Sequence, residues 1–535
     1  MKRFTALFTE LDRTTKTSKK VDALARYFAA APPADAAWAF SLLSGRRMKR
    51  LLPYQRLAEW AAAHAGVAMW LFVDCAEHTG DFAEAAALVL SRTQPPLSIS
   101  LATMMDERVL ALRALDESAQ QAIVTSTWDA LSDDERFVWN KILTGAFRVG
   151  VSELLVLRGL AKASGVDAAT LKHRSMGDFV PSAASFLALV QKDAAAASST
   201  RPDRPYPFAL AHPLDFPVAE LGPRDEWQVE WKWDGIRGQV VRREGVFIWS
   251  RGEELVSEQF PEILEAAAAL PAGTVIDGEV LPWRADRGGV LGFAELQRRL
   301  NRKKISAQLR AEVPIAFLAY DVLEEGGVDV RALPLHERRA RLDKIVSALA
   351  DERVKLSQIV MAPTWEELAV LRQESRARHV EGYMLKRASS RYGVGRKRGD
   401  WWKWKIDPYA VDAVLLYAQH GSGKRASLYT DYTFGVWHEG ELVPFAKAYS
   451  GLSDDEIKIV DSFVRRNTVE KFGPVHRVKP ELVFELGFEG IAVSARHKSG
   501  IAVRFPRMLR FRTDKPAAEA DTLETLRSLL RAATS

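Results

Sequence analysis

Hydrophobic and polar residues alternate with three different rhythms along the chain. From residue 1 to about 175, apolar positions recur every three to four residues. ALARYFAAA, RLAEWAAAHAG and DFAEAAALVLS show the pattern, and PPADAA and TQPPLS interrupt it. This predicts an all-α region over 1–190. Between 189 and 213, LVQKDAAAASSTRPDRPYPFALAHP passes from small residues to prolines, the composition of a linker, set here at 191–213. From 214 the period shortens to two. GQVVRREGVFIWSRG and GTVIDGEVLPW read as strands, and FAELQRRLNRK and LHERRARLDKIVSAL read as helices between them, so 214–407 is predicted to be α+β. Beyond Pro408 the segments AVDAVLLYAQHG, YTDYTFGVWHEGELVPFAKAY and PELVFELGFEGIAVSA predict a small β-barrel over 408–535.

Composition narrows the class. Of 535 residues, 47% are hydrophobic and 27% charged, as in ordinary globular domains. A net charge of +6 and a pI near 9.1 are compatible with a polyanionic partner. One cysteine, Cys75, excludes a disulfide framework and a cysteine-based zinc site within one chain, and it fits a reducing compartment. The opening MKRFTALFTELDRTTKTSKK lacks the apolar run of a signal peptide, and no stretch is long enough to span a bilayer. The expectation is a cytoplasmic protein with no membrane partner, and the Ala/Arg-rich composition suggests a bacterial one.

The stretch VEWKWDGIRGQ (229–239) carries the first chemistry. Val229, Trp231 and Trp233 alternate with Glu230, Lys232 and Asp234, and Asp234-Gly235 reads as a tight turn. A lysine between tryptophans and carboxylates fits a surface salt bridge, and it also fits a nucleophile. A free lysine has a pKa of about 10.4 and attacks only when neutral, so a nucleophilic one needs desolvation or neighbouring positive charge. Attack on an α-phosphate further requires cations for the triphosphate, a carboxylate for a metal and an aromatic for the base. SRG (250–252) offers Arg251. VIDGEV (275–280) puts Asp277 and Glu279 on one strand face. AYDVL (319–323) offers Tyr320, and VEGYMLKR (380–387) offers Glu381 and Lys386. KRGDWWKWK (397–405) sets Lys403 and Lys405 on one face and Trp402 and Trp404 on the other. Each of these alone is compatible with an ordinary surface or core position; their order is what argues for a site.

KWDGIR, SRG, IDGEV, AYDVL, EGYMLK and WKWK resemble, in order, the motifs of covalent nucleotidyltransferases: ATP-dependent DNA ligases, RNA ligases and mRNA-capping enzymes. RFPRMLRFRTDKP (504–516) resembles the last motif of the DNA ligases, and NKILTGAFRVGV (140–151) resembles a signature of their helical DNA-binding domain. The resemblance implies an ATP-grasp-like ligase domain at 214–407 and an OB-fold at 408–535. It implies a monomer encircling nicked duplex DNA, with ATP and Mg²⁺ (or Mn²⁺) as cofactors, associated with the nucleoid and serving repair, recombination or replication.

Carried over residue by residue, the resemblance makes Lys232 the AMP acceptor and Glu230 the reader of the adenine amino group. Arg237 and Arg251 contact ribose and phosphate. Glu279 binds metal, with Glu381 in a second metal role. Tyr320 stacks on adenine where the family more often has Phe. Arg398, with Lys397 as its alternative, joins Lys403 and Lys405 on the α-phosphate. Arg504, Arg507, Arg510, Arg512 and Lys515 orient pyrophosphate. Gly145, Arg148 and Gly150 contact DNA, since a Gly-x-x-Arg-x-Gly turn lets backbone approach a phosphate closely. GSGK (421–424) lacks the Walker spacing and reads as a barrel loop. An RNA-joining or capping enzyme is the alternative within the superfamily, and a catalytically silent nucleic-acid clamp is the alternative outside it.

Overall fold

The computed structural model describes residues 1–535 except 15, 47–50, 80, 146, 148, 177–178, 193–202, 285, 287–288, 301, 303–304, 422–427 and 535. The chain divides into two compact units, one of residues 1–166, 180–190 and 408–535, the other of residues 167–179 and 191–407. Among the described residues, 1–190 form helices and no strand, and no helix is long and apolar enough to cross a membrane.

In the first unit, α1 (Lys2–Arg13) buries Phe4, Leu7, Phe8 and Leu11, the stripe that its 3.6-residue period predicts. α2 (Thr17–Ala30) and α3 (Pro33–Leu43) follow, and Pro33 sits in the first turn of α3, where its missing N–H costs nothing. α4 (Asp133–Thr144) begins with a capping box between Ser132 and Glu135. It ends at Gly145 in the left-handed conformation (φ 66°). α5 (Glu153–Ser164) crosses α2 at Gly159, where an added Cβ would lie 2.4 Å from Leu24 Cβ.

The second unit begins with the helix α6 (Ala168–Ser175) and is built on two sheets. The main strands of these sheets are β1 (His212–Pro213), β2 (Trp227–Trp233), β3 (Ile236–Arg242), β4 (Val246–Ser250), β5 (Thr274–Arg284), β6 (Ile315–Glu325), β7 (Val354–Leu356), β8 (Val380–Arg387) and β9 (Trp401–Lys405). The larger sheet has the order β7-β6-β5-β3-β4 and the smaller one β1-β9-β8-β2. β6 is buried along nearly its whole length, which its largely apolar run IAFLAYDVL reflects, with Asp321 buried against Arg338. One face of the larger sheet packs on a core of Ile248, Ile276, Phe317, Leu342 and neighbours. A separate cluster joins Val241, Trp249, Val275 and Leu323 of the larger sheet to Trp401 and Met384 of the smaller.

Two expectations change here. Asp234-Gly235 does not close a hairpin. β2 pairs with β8, and β3 pairs with β4 and β5, so the chain steps from one sheet to the other at this point. Gly235 is required by close approach, because a Cβ there would lie 2.4 Å from the Val280 carbonyl oxygen. The segment read as a linker is also not a tether over its described C-terminal part. Tyr206 donates its hydroxyl to Glu324 at 2.7 Å, and its backbone is bracketed by Gln239. Ala209 and Ala211 are buried in the cluster between the sheets.

The C-terminal residues form a curled antiparallel sheet. β10 (Tyr409–His420) is long enough to pair β11 (Tyr429–His438), which pairs β12 (Glu441–Ala448). On its other edge, β10 pairs β14 (Val475–Val478) at one end and β15 (Val483–Phe488) at the other. β13 (Thr468–Phe472) borders β14, and β16 (Arg507–Phe511) borders β15. The split of β10 between two partners curls the sheet over one hydrophobic core. GSGK falls largely outside the described residues.

Gly235→Ala forces a Cβ into the β3–β5 corner and should destabilise the second unit by about 2 kcal/mol, the usual range for overpacking. Urea unfolding followed by tryptophan fluorescence measures it.

Candidate active site

The crossover at Gly235 lets two adjacent strands face one cavity from opposite sheets. Glu230 and Lys232 on β2, Met384 and Lys386 on β8, and Trp401 and Lys403 on β9 line it from the smaller sheet. Arg237, Arg251, Glu279 and Tyr320 line it from the larger one. Alternation along each strand delivers these side chains together. Trp231 turns the other way and packs on Tyr383 with ring centroids 4.8 Å apart.

Glu381 reaches Lys232 by a different device. Regular alternation from Met384 and Lys386 would put it on the opposite face. The pairing of β8 with β2 shifts register between Val380 and Tyr383, and Gly382 adopts φ 120° against the Trp404 carbonyl. This bulge brings the Glu381 carboxylate to 2.6 Å from Lys232 Nζ and 3.1 Å from Lys405 Nζ. Burial alone would raise the Glu381 carboxyl, but the two ammonium groups outweigh it and hold it below its ordinary value.

Two buried ion pairs frame the cavity. Lys386 Nζ lies 2.9 Å from Glu230, with both side chains 1% exposed. The ammonium sits 4.1 Å from the Tyr320 ring centroid and 4.8 Å from that of Trp401. Glu230 also accepts from Gln228 Nε2 at 2.6 Å and from Ser357 Oγ at 3.2 Å. Three donors on about four lone-pair positions leave one acceptor direction. On the other side, Arg237 grips Asp277 through Nε at 3.2 Å and Nη2 at 2.7 Å, and Tyr392 donates to Asp277 at 2.6 Å. Asp277 is therefore consumed by the protein, and of the two acids of VIDGEV only Glu279 is left without such partners.

Glu279 is differently placed. Nothing among the described residues hydrogen-bonds to it. Burial pushes its carboxyl up to about 7, against the pull of Lys232, Arg237 and Arg251 and with the help of Asp277. A carboxylate held in a cleft without a donor suits a cation. Among the described residues, no group of three or more His, Cys, Asp or Glu is arranged for a metal. Glu279 is thus the carboxylate in the cleft open to a cation, whereas the Glu381 carboxylate is held by Lys232 and Lys405. Lys403 shows the opposite imbalance. Burial lowers its pKa, and the charges of Lys232, Arg396 and Lys405 lower it further. Such a cluster of cations is at ease only around an anion.

The arginine that lines the cavity beside Lys403 is Arg396, which the sequence reading missed; Arg398 rests 5.9 Å from the Trp402 ring. In the C-terminal part, Arg512 and Lys515 both bind Asp412, at 2.9 and 2.8 Å, and Arg507 binds Glu489 at 2.9 Å. Arg504 lies over Phe505, while the Arg510 side chain is 62% exposed and 3.8 Å from Asp514. Arg148 lies outside the described residues. Gly145 and Gly150 both have positive φ.

Two sheets closing on a lysine, with cations and a carboxylate converging on it, define a nucleotidyltransferase. Residues 1–161, 210–405 and 425–515 match, in turn, the DNA ligase N terminus, the ATP dependent DNA ligase domain and the ATP dependent DNA ligase C terminal region. A "Probable DNA ligase" of Koribacter versatilis is 33% identical over 548 residues, spanning 97% of this chain and 94% of that protein. A DNA ligase of Methanothrix thermoacetophila is 32% identical over 390 residues, spanning 72% and 69%. Of solved structures, Pmar-Lig_PreS3 shares the fold with a TM-score of 0.61 at 15% identity, over 95% of this chain and 99% of its own. The chain belongs to the ATP-dependent DNA ligases.

The raised Glu279 carboxyl has a sign that can be checked. Its folded pKa of about 7 exceeds the ordinary 4.5. The neutral form is favoured by folding, so this contribution is full below 4.5 and is lost as pH rises through 7. At about 1.36 kcal/mol per pKa unit the limit is about 3 kcal/mol, reduced by the water that reaches a half-buried group. Glu279→Gln should therefore match the unmodified protein's thermal midpoint near pH 4 and exceed it at pH 8 in metal-free buffer.

Proposed function

We propose that this DNA ligase seals 5′-phosphate/3′-hydroxyl nicks in duplex DNA, with Lys232 as the nucleophile that carries AMP. The observation that carries the proposal is the convergence of Lys232, Lys403, Arg237 and Arg251 on one cavity beside Glu279. In the first step Nζ, having lost a proton, attacks the α-phosphorus of ATP; a P–N bond forms and pyrophosphate leaves. In the second, a 5′-phosphate oxygen displaces the lysine, giving DNA-adenylate. In the third, the 3′-hydroxyl attacks that 5′-phosphate and AMP leaves.

Glu230 uses its remaining acceptor direction for the adenine amino group, and Tyr320 supplies an aromatic face for the base. Arg237, already fixed by Asp277, presents its guanidinium without reorganisation to ribose or phosphate, and Arg251 joins it. Lys403, Lys405 and Arg396 hold the α-phosphate; Arg396 takes the place expected of Arg398. When bound, Mg²⁺ at Glu279 and Glu381 adds neutralising charge to the phosphates.

The C-terminal curled sheet is read as an OB-fold. Its Arg504, Arg507, Arg510, Arg512 and Lys515 serve pyrophosphate orientation, with Asp412 fixing Arg512 and Lys515 and leaving Arg510 as the exposed cation. The helical region, through Gly145, Arg148 and Gly150, supplies phosphate contacts, so binding is sequence-tolerant and salt-sensitive.

Nicked duplex labelled at the 5′-phosphate should be sealed with ATP and Mg²⁺ and not with NAD. Lys232→Ala should abolish sealing. Sealing with NAD alone, or unimpaired sealing by Lys232→Ala, contradicts the proposal. Arg510→Ala should slow self-adenylation at least tenfold more than it slows sealing of a pre-adenylated nick. Equal losses in the two assays argue against a role confined to the first step.

A further inference from the structure

The two sheets are tied together beside Glu230 and Tyr320 by a residue that lies outside the cavity lining. β7 runs parallel to β6, with Leu356 beside Ala319, and the chain then leaves the larger sheet. Two residues beyond Ser357 it reaches the smaller one, where Ile359 bridges Glu230 and the Val360 amide donates to the Val229 carbonyl at 2.8 Å. Ser357 sits at this crossing, fully buried behind the residues that line the cavity. Its backbone is held on both sides. The amide donates to the Ala319 carbonyl at 2.7 Å, next to Tyr320, and the carbonyl accepts from Arg339 Nη2 at 2.9 Å.

The hydroxyl is oriented as well. An indole N–H can only donate, so Trp233 Nε1, 3.0 Å from Ser357 Oγ, makes that oxygen an acceptor. The hydroxyl proton is left for the other neighbour, Glu230 Oε2 at 3.2 Å. The two oxygens of Glu230 consequently differ. Oε1 takes both Gln228 Nε2 at 2.6 Å and Lys386 Nζ at 2.9 Å, which fills its two acceptor positions. Oε2 takes Ser357 and keeps one position. Anchors on a single oxygen would let the carboxylate turn about it. The second anchor, at Oε2, fixes the carboxylate plane and with it the direction of the remaining lone pair.

We infer that Ser357 is a positioning residue for base selection: it aims Glu230 Oε2 at the exocyclic amino group of adenine and holds it in register with the Tyr320 ring. The inference rests on the function proposed above, in which Glu230 reads that amino group, and adds the group that makes the reading directional. Ser357 bonds Glu230 in one sheet and the backbone beside Tyr320 in the other, so the stacking face and the reading carboxylate share one frame. A donor at purine position 6 completes Oε2. A purine lacking it leaves Oε2 unpaired in a buried site, and an unpaired buried polar group is what lets a site reject the wrong ligand.

The test crosses a protein change with a nucleotide change. Formation of the lysyl-nucleotide adduct is timed by mass spectrometry across concentrations of ATP, or of purine riboside triphosphate, which lacks the 6-amino group. Unmodified protein and Ser357→Ala are compared in Mg²⁺ buffer. The unmodified protein should prefer ATP by about twentyfold or more at limiting nucleotide. Ser357→Ala should lose about tenfold on limiting ATP, stay within about twofold on the purine analogue, and approach the unmodified rate at saturating ATP. An equal loss on both nucleotides overturns the inference, because a packing defect does not sense the 6-amino group. An unchanged preference for ATP overturns it as well. Should Ser357→Ala fail to fold, Trp233→Phe frees the hydroxyl to turn from Glu230 and should narrow the preference in the same direction; an unaltered preference there counts against the inference equally. If the unmodified protein does not distinguish the two nucleotides, the Glu230 contact and the inference fall while lysine adenylation stands. If it forms an adduct with neither, the proposed function falls with them.

Discussion

The site depends on holding mutually repelling cations against one another before any anion arrives. Lys232, Lys403 and Arg396 line the cavity with Lys405 close enough to act on Lys403, and the depressed pKa of Lys403 records the cost. The protein contains that cost with carboxylates of different duty. Glu381 bridges Lys232 and Lys405, Asp277 neutralises Arg237, and Glu230 neutralises Lys386. On the proposed function, the triphosphate of ATP adds direct pairing for the cations that these carboxylates leave uncompensated, Lys403 among them. Binding energy is thus stored in the fold as unrelieved positive charge, and it is released where phosphate charge is handled.

The two-sheet architecture makes this geometry possible. A hairpin at Asp234-Gly235 would have set Lys232 and Arg237 in one sheet. The crossover places them on facing sheets, and the absence of a side chain at Gly235 is what allows β3 to run so close to β5. The Gly382 bulge makes a second such adjustment, re-aiming one carboxylate without disturbing the strand that carries it. Both devices use glycine where a Cβ would strike backbone within 2.4 Å.

Much of this was legible in the sequence, and the parts that were not share a cause. Period-two alternation put Glu230 with Lys232, and Lys403 with Lys405, on common faces, because alternation is local to a strand. The partner of a strand is not local. Nothing in WDGIR distinguishes a hairpin from a step between sheets, and nothing in IDGEV says that Arg237 will claim Asp277 and leave Glu279 alone. The choice of Arg396 over Arg398 depends on how an irregular segment enters β9. The prolines and tyrosine of 205–211 looked like linker, yet they pack because Glu324 and Gln239, more than thirty residues away in sequence, offer them partners.

The most direct test of the account is where AMP is attached. The protein is incubated with ATP and Mg²⁺, quenched at a pH that preserves phosphoramidates, digested and mapped by mass spectrometry. The account predicts a single AMP adduct, on the peptide that carries Lys232. An adduct on Lys403 or Lys405 instead, or no adduct in protein that nevertheless seals nicks, would contradict it.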